Sequence, residues 1–280
     1  MRRLAARLPR RDIVFVASAA ILLVVVAMAL SAPFVFPGGP WEVVGPPMAR
    51  PLSDGFLLGT DTIGRSLLSG IFYGARVSLL VGIVATALPF LLGMLVGAVA
   101  GYYGGVVDDA LMRLTELFQT VPHFMLALVL VAILTPSIGS IIIAISVVSW
   151  PPVARLVRGE FLILRNREFV EAAVLSGRGD ASIILREILP NALGPIVVMA
   201  SLMVATAILL EAAISFIGLG DPNLMSWGYM VGASRTVLRT AWWVSVMPGL
   251  AVFLTVLAIN FLGEALNEAL NPRSALGTMR

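Results

Sequence analysis

Six long apolar stretches run through this chain, and nothing else about it restricts the fold as severely. They cover Ile13–Phe36, Val77–Ala100, Leu117–Leu134, Ile138–Val157, Leu193–Ile217 and Trp243–Leu262. The hydrocarbon core of a bilayer is about 30 Å thick, which about twenty helical residues cross at ~1.5 Å each. Backbone N–H and C=O groups meet no water there, so each stretch must close its hydrogen bonds within itself as a helix. The expected fold is an all-α, multi-pass membrane protein with six transmembrane helices. Pro122 and His123 interrupt the start of the third stretch. The first is too long for the apolar region of a signal peptide. Pro33 and Pro37 stand at its end instead of a small-residue cleavage site, so it is expected to remain as a span.

Charge supports this reading and adds an orientation. Of the 280 residues, 59% are hydrophobic and 12% charged, too few charges to keep a water-soluble surface of this size wet. The nineteen basic residues are all arginine. Arg2, Arg3, Arg7, Arg10 and Arg11 precede the first span. If that end is cytoplasmic, alternation of the spans places Arg113, Arg155, Arg158, Arg165, Arg167, Arg178, Arg186, Arg273 and Arg280 on the same side. Only Arg50, Arg65, Arg76, Arg235 and Arg239 fall opposite, fourteen against five. Cytoplasmic segments carry such an excess, so both termini are expected in the cytoplasm. The net charge of +3 belongs to this asymmetry and not to nucleic-acid binding.

The missing residues exclude chemistry. A phosphate-binding loop of the G-x-x-x-x-G-K-[ST] type needs a lysine, and this chain has none. Any ATP that drives it must be hydrolysed on a separate polypeptide. Without cysteine there are no disulfides or thiolate ligands. A single histidine, His123, leaves no multi-histidine metal site. No catalytic residue, metal or cofactor is expected in the chain itself.

The longest internal connection, about residues 158–191, reads as two short amphipathic helices broken near Gly177 and Gly179. Phe161, Leu164 and Phe169 are expected to face inward from the first. Ile184, Leu185, Ile188 and Leu189 are expected on one face of the second, before Pro190 stops the turn. Small Ala172 and Ala173 suit close approach of a partner surface, Gly177 suits a sharp reversal, and Glu171, Arg167 and Arg178 are available to pair with a partner's charges.

Glu171-Ala172-Ala173, then Gly177, then Leu189-Pro190 resembles the E-A-A motif of ABC-importer permeases, with Glu187 where that motif has Ile. Leu58 to Gly82 (L-G-T-D-T-I-G-R-S onward), Glu211 to Trp227 (with S-F-I-G-L-G and S-W-G) and Pro248 to Arg273 are similar to the second permease subunit of the dipeptide/oligopeptide/nickel branch. Ser66 stands where that branch usually has Asp. The resemblance implies a type I importer fold in a bacterial or archaeal plasma membrane, with residues 1–76 as an N-terminal portion and 77–280 as a five-helix permease core. It further implies that the E-A-A loop is a coupling helix docking on an ATPase. The partners it implies are a second homologous permease, two ATPase subunits that bind ATP and Mg, an extracytoplasmic binding protein and the bilayer, with peptide-like solute as cargo.

Other residues carry smaller expectations. Glu211 sits inside an apolar run, where a carboxylate is costly; a structural or gating role is favoured over solute contact. His123 is read as an interfacial histidine and Asp108-Asp109 as a charged loop face with Arg113 in reach. Pro151 and Pro152 are expected to kink the fourth span. Gly93, Gly97 and Gly101 recur every four residues and read as a helix–helix contact stripe. Thr60 and Asp61 are candidate caps for a short helix over Ser69–Arg76. A self-sufficient secondary transporter or channel would show internal repeats and several intramembrane ionisable residues, and it would leave the E-A-A loop without a purpose. An intramembrane enzyme would lack catalytic groups.

Overall fold

The computed structural model describes residues 10–53 and 55–270. Arg2, Arg3, Arg7, Arg273 and Arg280, which enter the orientation argument, lie outside the described residues. Ten α-helices follow in order: α1 Arg10–Val35, α2 Leu67–Tyr103, α3 Gly105–Gln119, α4 His123–Leu134, α5 Ile138–Leu164, α6 Glu168–Leu175, α7 Asp180–Ile183, α8 Leu189–Ile214, α9 Trp227–Ala233 and α10 Trp243–Leu270. The described residues hold no β-strand, only isolated bridges in the segment before α2. Five helical segments are long and apolar enough to cross a membrane, and six if the bent pair α3–α4 is one span.

That pair is the expected third span, and it is broken rather than straight. Helices α3 and α4 meet at 75°. Pro122, with its missing N–H, stands between them, and its extended backbone makes it the N-cap of α4. By contrast α5 runs without a break through Pro151 and Pro152. Residue 76, the expected boundary of the N-terminal portion, lies within α2, because the short helix expected over Ser69–Arg76 is the first part of that span. Its cap is Ser66, whose side chain accepts from the Ser69 N–H, and not Thr60 or Asp61. Those two hold the preceding loop instead. Thr60 Oγ1 accepts from the Ala49 N–H at 2.8 Å and donates to the Pro46 carbonyl at 2.6 Å. Asp61 accepts from the Ile63 and Arg65 backbones and pairs with the Arg65 guanidinium at 2.5 Å.

The central contact is α2 on α5. Adding a Cβ at Gly93 would bring it to 2.6 Å from the Trp150 carbonyl oxygen. At Gly97 it would meet the Ala154 oxygen at 2.4 Å, and at Gly101 the Phe161 Cβ at 2.5 Å. The three glycines thus form the contact stripe their spacing suggests, and they let two backbones touch where lipid offers no hydrophobic drive. At the far end of α2, Gly74 is covered by Trp227, which is fully buried and donates its indole N–H to the Ile71 carbonyl at 3.0 Å. Gly228 and Gly232 lay α9 on the α8 terminus, where an added Cβ would fall 2.4 Å from Ala212 Cα and 2.8 Å from the Phe216 oxygen. The S-W-G run is therefore a packing device that pins α9 between α2 and α8.

Replacing Gly97 by Val is expected to cost about 1–3 kcal/mol through overpacking, read as lower thermal stability of the chain purified in detergent. Gly194 on α8 has no atom within 4 Å of an added Cβ. Gly194→Ala is accordingly expected to leave that stability unchanged or slightly raised.

Candidate functional site

The E-A-A residues form a protruding turn at the end of the bundle where α2 stops and α5 ends. Arg167, in extended conformation, leads into α6, and its carbonyl accepts from the Val170 and Glu171 N–H groups. Ser176 caps the far end, and Gly177 follows at φ +73°, a left-handed conformation that favours glycine. The Gly177 N–H donates to the Val174 carbonyl and the Arg178 N–H to the Ala173 carbonyl. This pair of bonds is a Schellman stop. It gives the E-A-A-x-x-x-G spacing a geometric cause, since the glycine falls at the one place where the helix must reverse.

Burial divides α6 into two faces. Val170 and Ala173 pack into a core shared with Val157, Phe161, Ile183 and Ile188. Ala173, 6% exposed, is therefore an inward contact within the chain, whereas Ala172 faces outward. Phe161 and Leu164 are inward as expected, but they belong to the continuing α5, and Phe169 is exposed. Around the tip, Leu175 is 89% exposed and Val174 55%. Arg167, Glu168 and Glu171 are exposed beside them. The result is a small apolar knob ringed by charge.

Beyond the reversal, Pro190 does not stop the helix. A five-residue π turn, Ile184–Ile188, leads directly into α8, with the Leu189 N–H bonded to the Ile184 carbonyl. A π turn holds one residue more than an α turn, and here it precedes a proline that supplies no N–H. Ile188 and Leu189 face the core, Ile188 completely, while Leu185 faces out. Glu187, in the slot where the motif has Ile, points outward and forms an ion pair with Arg178 across the loop.

Three further contacts tie this loop to the spans. Tyr102 at the end of α2 donates its hydroxyl to Asp180 Oδ1 at 2.9 Å. Arg165 at the end of α5 donates to the Gly101 and Tyr102 carbonyls, each at 3.2 Å. One turn or more back, Arg158 grips Asp108 of α3 with two parallel bonds of 2.6 and 2.5 Å. Asp108 is thus paired with Arg158 and not with Arg113. Sequence reading passed over this clamp; the signal it offers is that Arg158 and Arg165 stand seven residues apart, two turns on the face that also carries Phe161. Through it α3, and with it the broken span, is joined to the helix that leads into the loop.

Glu211 lies elsewhere, near the far end of α8, and is 1% exposed. Ser215 donates to its Oε1 at 2.7 Å and Ser78 of α2 to its Oε2 at 3.4 Å. No basic residue pairs with it among the described residues. The carboxyl group therefore joins α8 to α2 within the chain. No group of three or more potential metal ligands occurs among the described residues.

A helical bundle with five or six segments long and apolar enough to cross a membrane, and a knob tied to those segments, fits the construction of a transport permease subunit. Comparison with known proteins agrees. A family model described as "Binding-protein-dependent transport system inner membrane component" matches residues 93–275. The chain is 39% identical to a di/tripeptide transport system permease protein of Pseudomonas aeruginosa, over 90% of this chain and 86% of that one. It is 38% identical to an oligopeptide transport system permease protein of Haemophilus influenzae, over 92% of this chain and 84% of that one. Among solved structures, a chain of the inward-facing MetNI methionine ABC transporter superposes with a TM-score of 0.61 at 18% identity, covering 72% of this chain and 96% of that one, a likeness of fold. The chain belongs to the family of binding-protein-dependent transport system inner membrane components: it is a non-catalytic, transmembrane permease subunit of an ABC importer.

Asp108→Asn should cost about 2 kcal/mol by stranding Arg158 in a half-buried site. The swapped pair Asp108→Arg with Arg158→Asp should recover at least half of that loss in a thermal-denaturation cycle.

Proposed function

We propose that this chain moves peptides inward by alternating access, paired with a second homologous permease, driven by two ATPase subunits that bind ATP and Mg, and fed by an extracytoplasmic binding protein. The observation that carries this reading is the α6 knob: Arg167, Glu171, Ala172 and Gly177 are presented outward, while Ala173 and Leu189 root it in the core and exposed Pro190 lies in the helix that continues beyond the reversal. An ATPase that closes on ATP pushes this knob, and the clamps at Tyr102, Arg158 and Arg165 pass the push to α2, α3 and α5. The arginine excess supports an orientation with the knob and both termini on the cytoplasmic side of the plasma membrane. Peptide cargo is supported by relatives whose names specify di-, tri- and oligopeptide transport.

In the complete complex reconstituted in liposomes, Glu171→Arg and Gly177→Val are each expected to lower ATP-driven peptide uptake at least tenfold; the purified Glu171→Arg chain keeps its thermal stability, whereas Gly177→Val loses about 1–2 kcal/mol to the left-handed backbone at φ +73°. Full uptake by both variants would contradict the coupling role. Glu211→Gln is expected to lower assembly yield or the rate of cycling and to leave the apparent affinity for peptide within about twofold. A changed peptide preference with normal assembly would contradict its internal, structural role.

A further inference from the structure

A cavity of ≈ 300 Å³ opens between α2, α4, α5 and α8. Ala85 and Thr86 on its wall stand at the midpoint of the 37 residues of α2, a helix about 55 Å long at ~1.5 Å per residue. A helix that overshoots the bilayer on both sides places its midpoint near the membrane centre. His123, the first residue of the broken span's second half, lines the cavity and is the only titratable group to do so among the described residues. The rest of the wall is largely apolar, with Met199, Met203 and Leu210 from α8, interrupted by the hydroxyls of Thr86, Ser149 and Thr206. Pro152 is also part of it.

This composition has a direct consequence for recognition. Among the described residues no carboxylate or guanidinium lines the space, so a solute's ammonium end finds no anionic partner in it and its carboxylate meets only the His123 imidazole. Unbranched methionine side chains adapt to differently shaped apolar groups, and the volume matches the lower end of small-molecule pockets, about 300–1,000 Å³. A broken helix beside a midplane cavity is also the arrangement in which irregular backbone is tolerated at membrane depth. We propose that this cavity is a transit site within this one subunit that takes the uncharged apolar side chain of a peptide, with the peptide's ionised ends held outside it. The proposal rests on the transport reading above and adds a site to it.

The chain contains no cysteine, so a single introduced thiol reports on one position. In the complete complex, nucleotide-free and in detergent, Thr206→Cys and Ser149→Cys view the cavity from α8 and α5, and Ile133→Cys, exposed on α4 outside it, is the control. Maleimide labelling of this chain is timed with leucyl-leucine or glycyl-glycine at matched concentration. Leucyl-leucine is expected to slow labelling at both cavity positions about tenfold, the low end of what burying one leucine side chain supplies. Glycyl-glycine is expected to slow it less than about twofold, and Ile133→Cys should respond to neither. Two cavity positions guard against a variant that fails to fold. Unchanged labelling at both, or equal protection by the two dipeptides, would overturn the proposal. ATP-driven uptake of dipeptide by the unmodified complex is measured alongside; its absence would instead remove the transport reading.

Discussion

Direct backbone contact between α2 and α5 is the constraint on which the rest of the structure depends. In a bilayer, apolar side chains gain nothing by leaving lipid for protein, so helices associate through close packing and hydrogen bonds. Gly93, Gly97 and Gly101 strip one face of α2 and bring it against Trp150, Ala154 and Phe161. The knob, the cavity and the clamps are all placed by that seam. At one end it delivers Arg165 to the carbonyls that terminate α2, and near the middle it sets Ala85 and Thr86 beside Ser149 and Pro152. A side chain at Gly97 would part the two helices.

Polar groups inside the bundle are used as joints. Glu211 ties α8 to α2 through serine hydroxyls, and Arg158 ties α5 to α3 through a two-pronged grip on Asp108. A group such as Glu211 costs several kcal/mol if stranded at membrane depth, so its joint holds as long as its partners stay together. The route from the knob to the midplane is correspondingly short. It passes from α6 through its buried residues to α5 and through Asp108 to α3, and the 75° bend then leads to His123 on the cavity wall.

Much of this was legible in the residues. Long uncharged runs announced the spans, glycines four apart announced the seam, and the E-A-A spacing announced a helix that reverses at Gly177. What escaped was set by partners distant in sequence. Asp108 looked toward Arg113 because Arg113 is five residues away, whereas Arg158 reaches it only after α3 and α5 have packed. Pro190 looked like a stop because a proline usually is one, but the π turn before it continues the helix. Ala173 looked like a contact for a partner, and only the fold of α6 onto Phe161 and Ile188 turned it inward. The Thr60 and Asp61 side chains looked like caps because they precede a helix; loop contacts with Ala49, Pro46 and Arg65 claimed them first.

The central claim is that this chain works only as the membrane half of a larger engine. The most direct measurement is to purify the tagged chain from its native membrane in mild detergent, identify its stoichiometric companions by mass spectrometry, and assay peptide uptake after reconstitution with and without them. The account predicts a second permease and ATPase subunits in fixed proportion, with uptake that requires both those subunits and ATP. A chain that emerges alone or as a homo-oligomer, and transports without any ATPase, would contradict it.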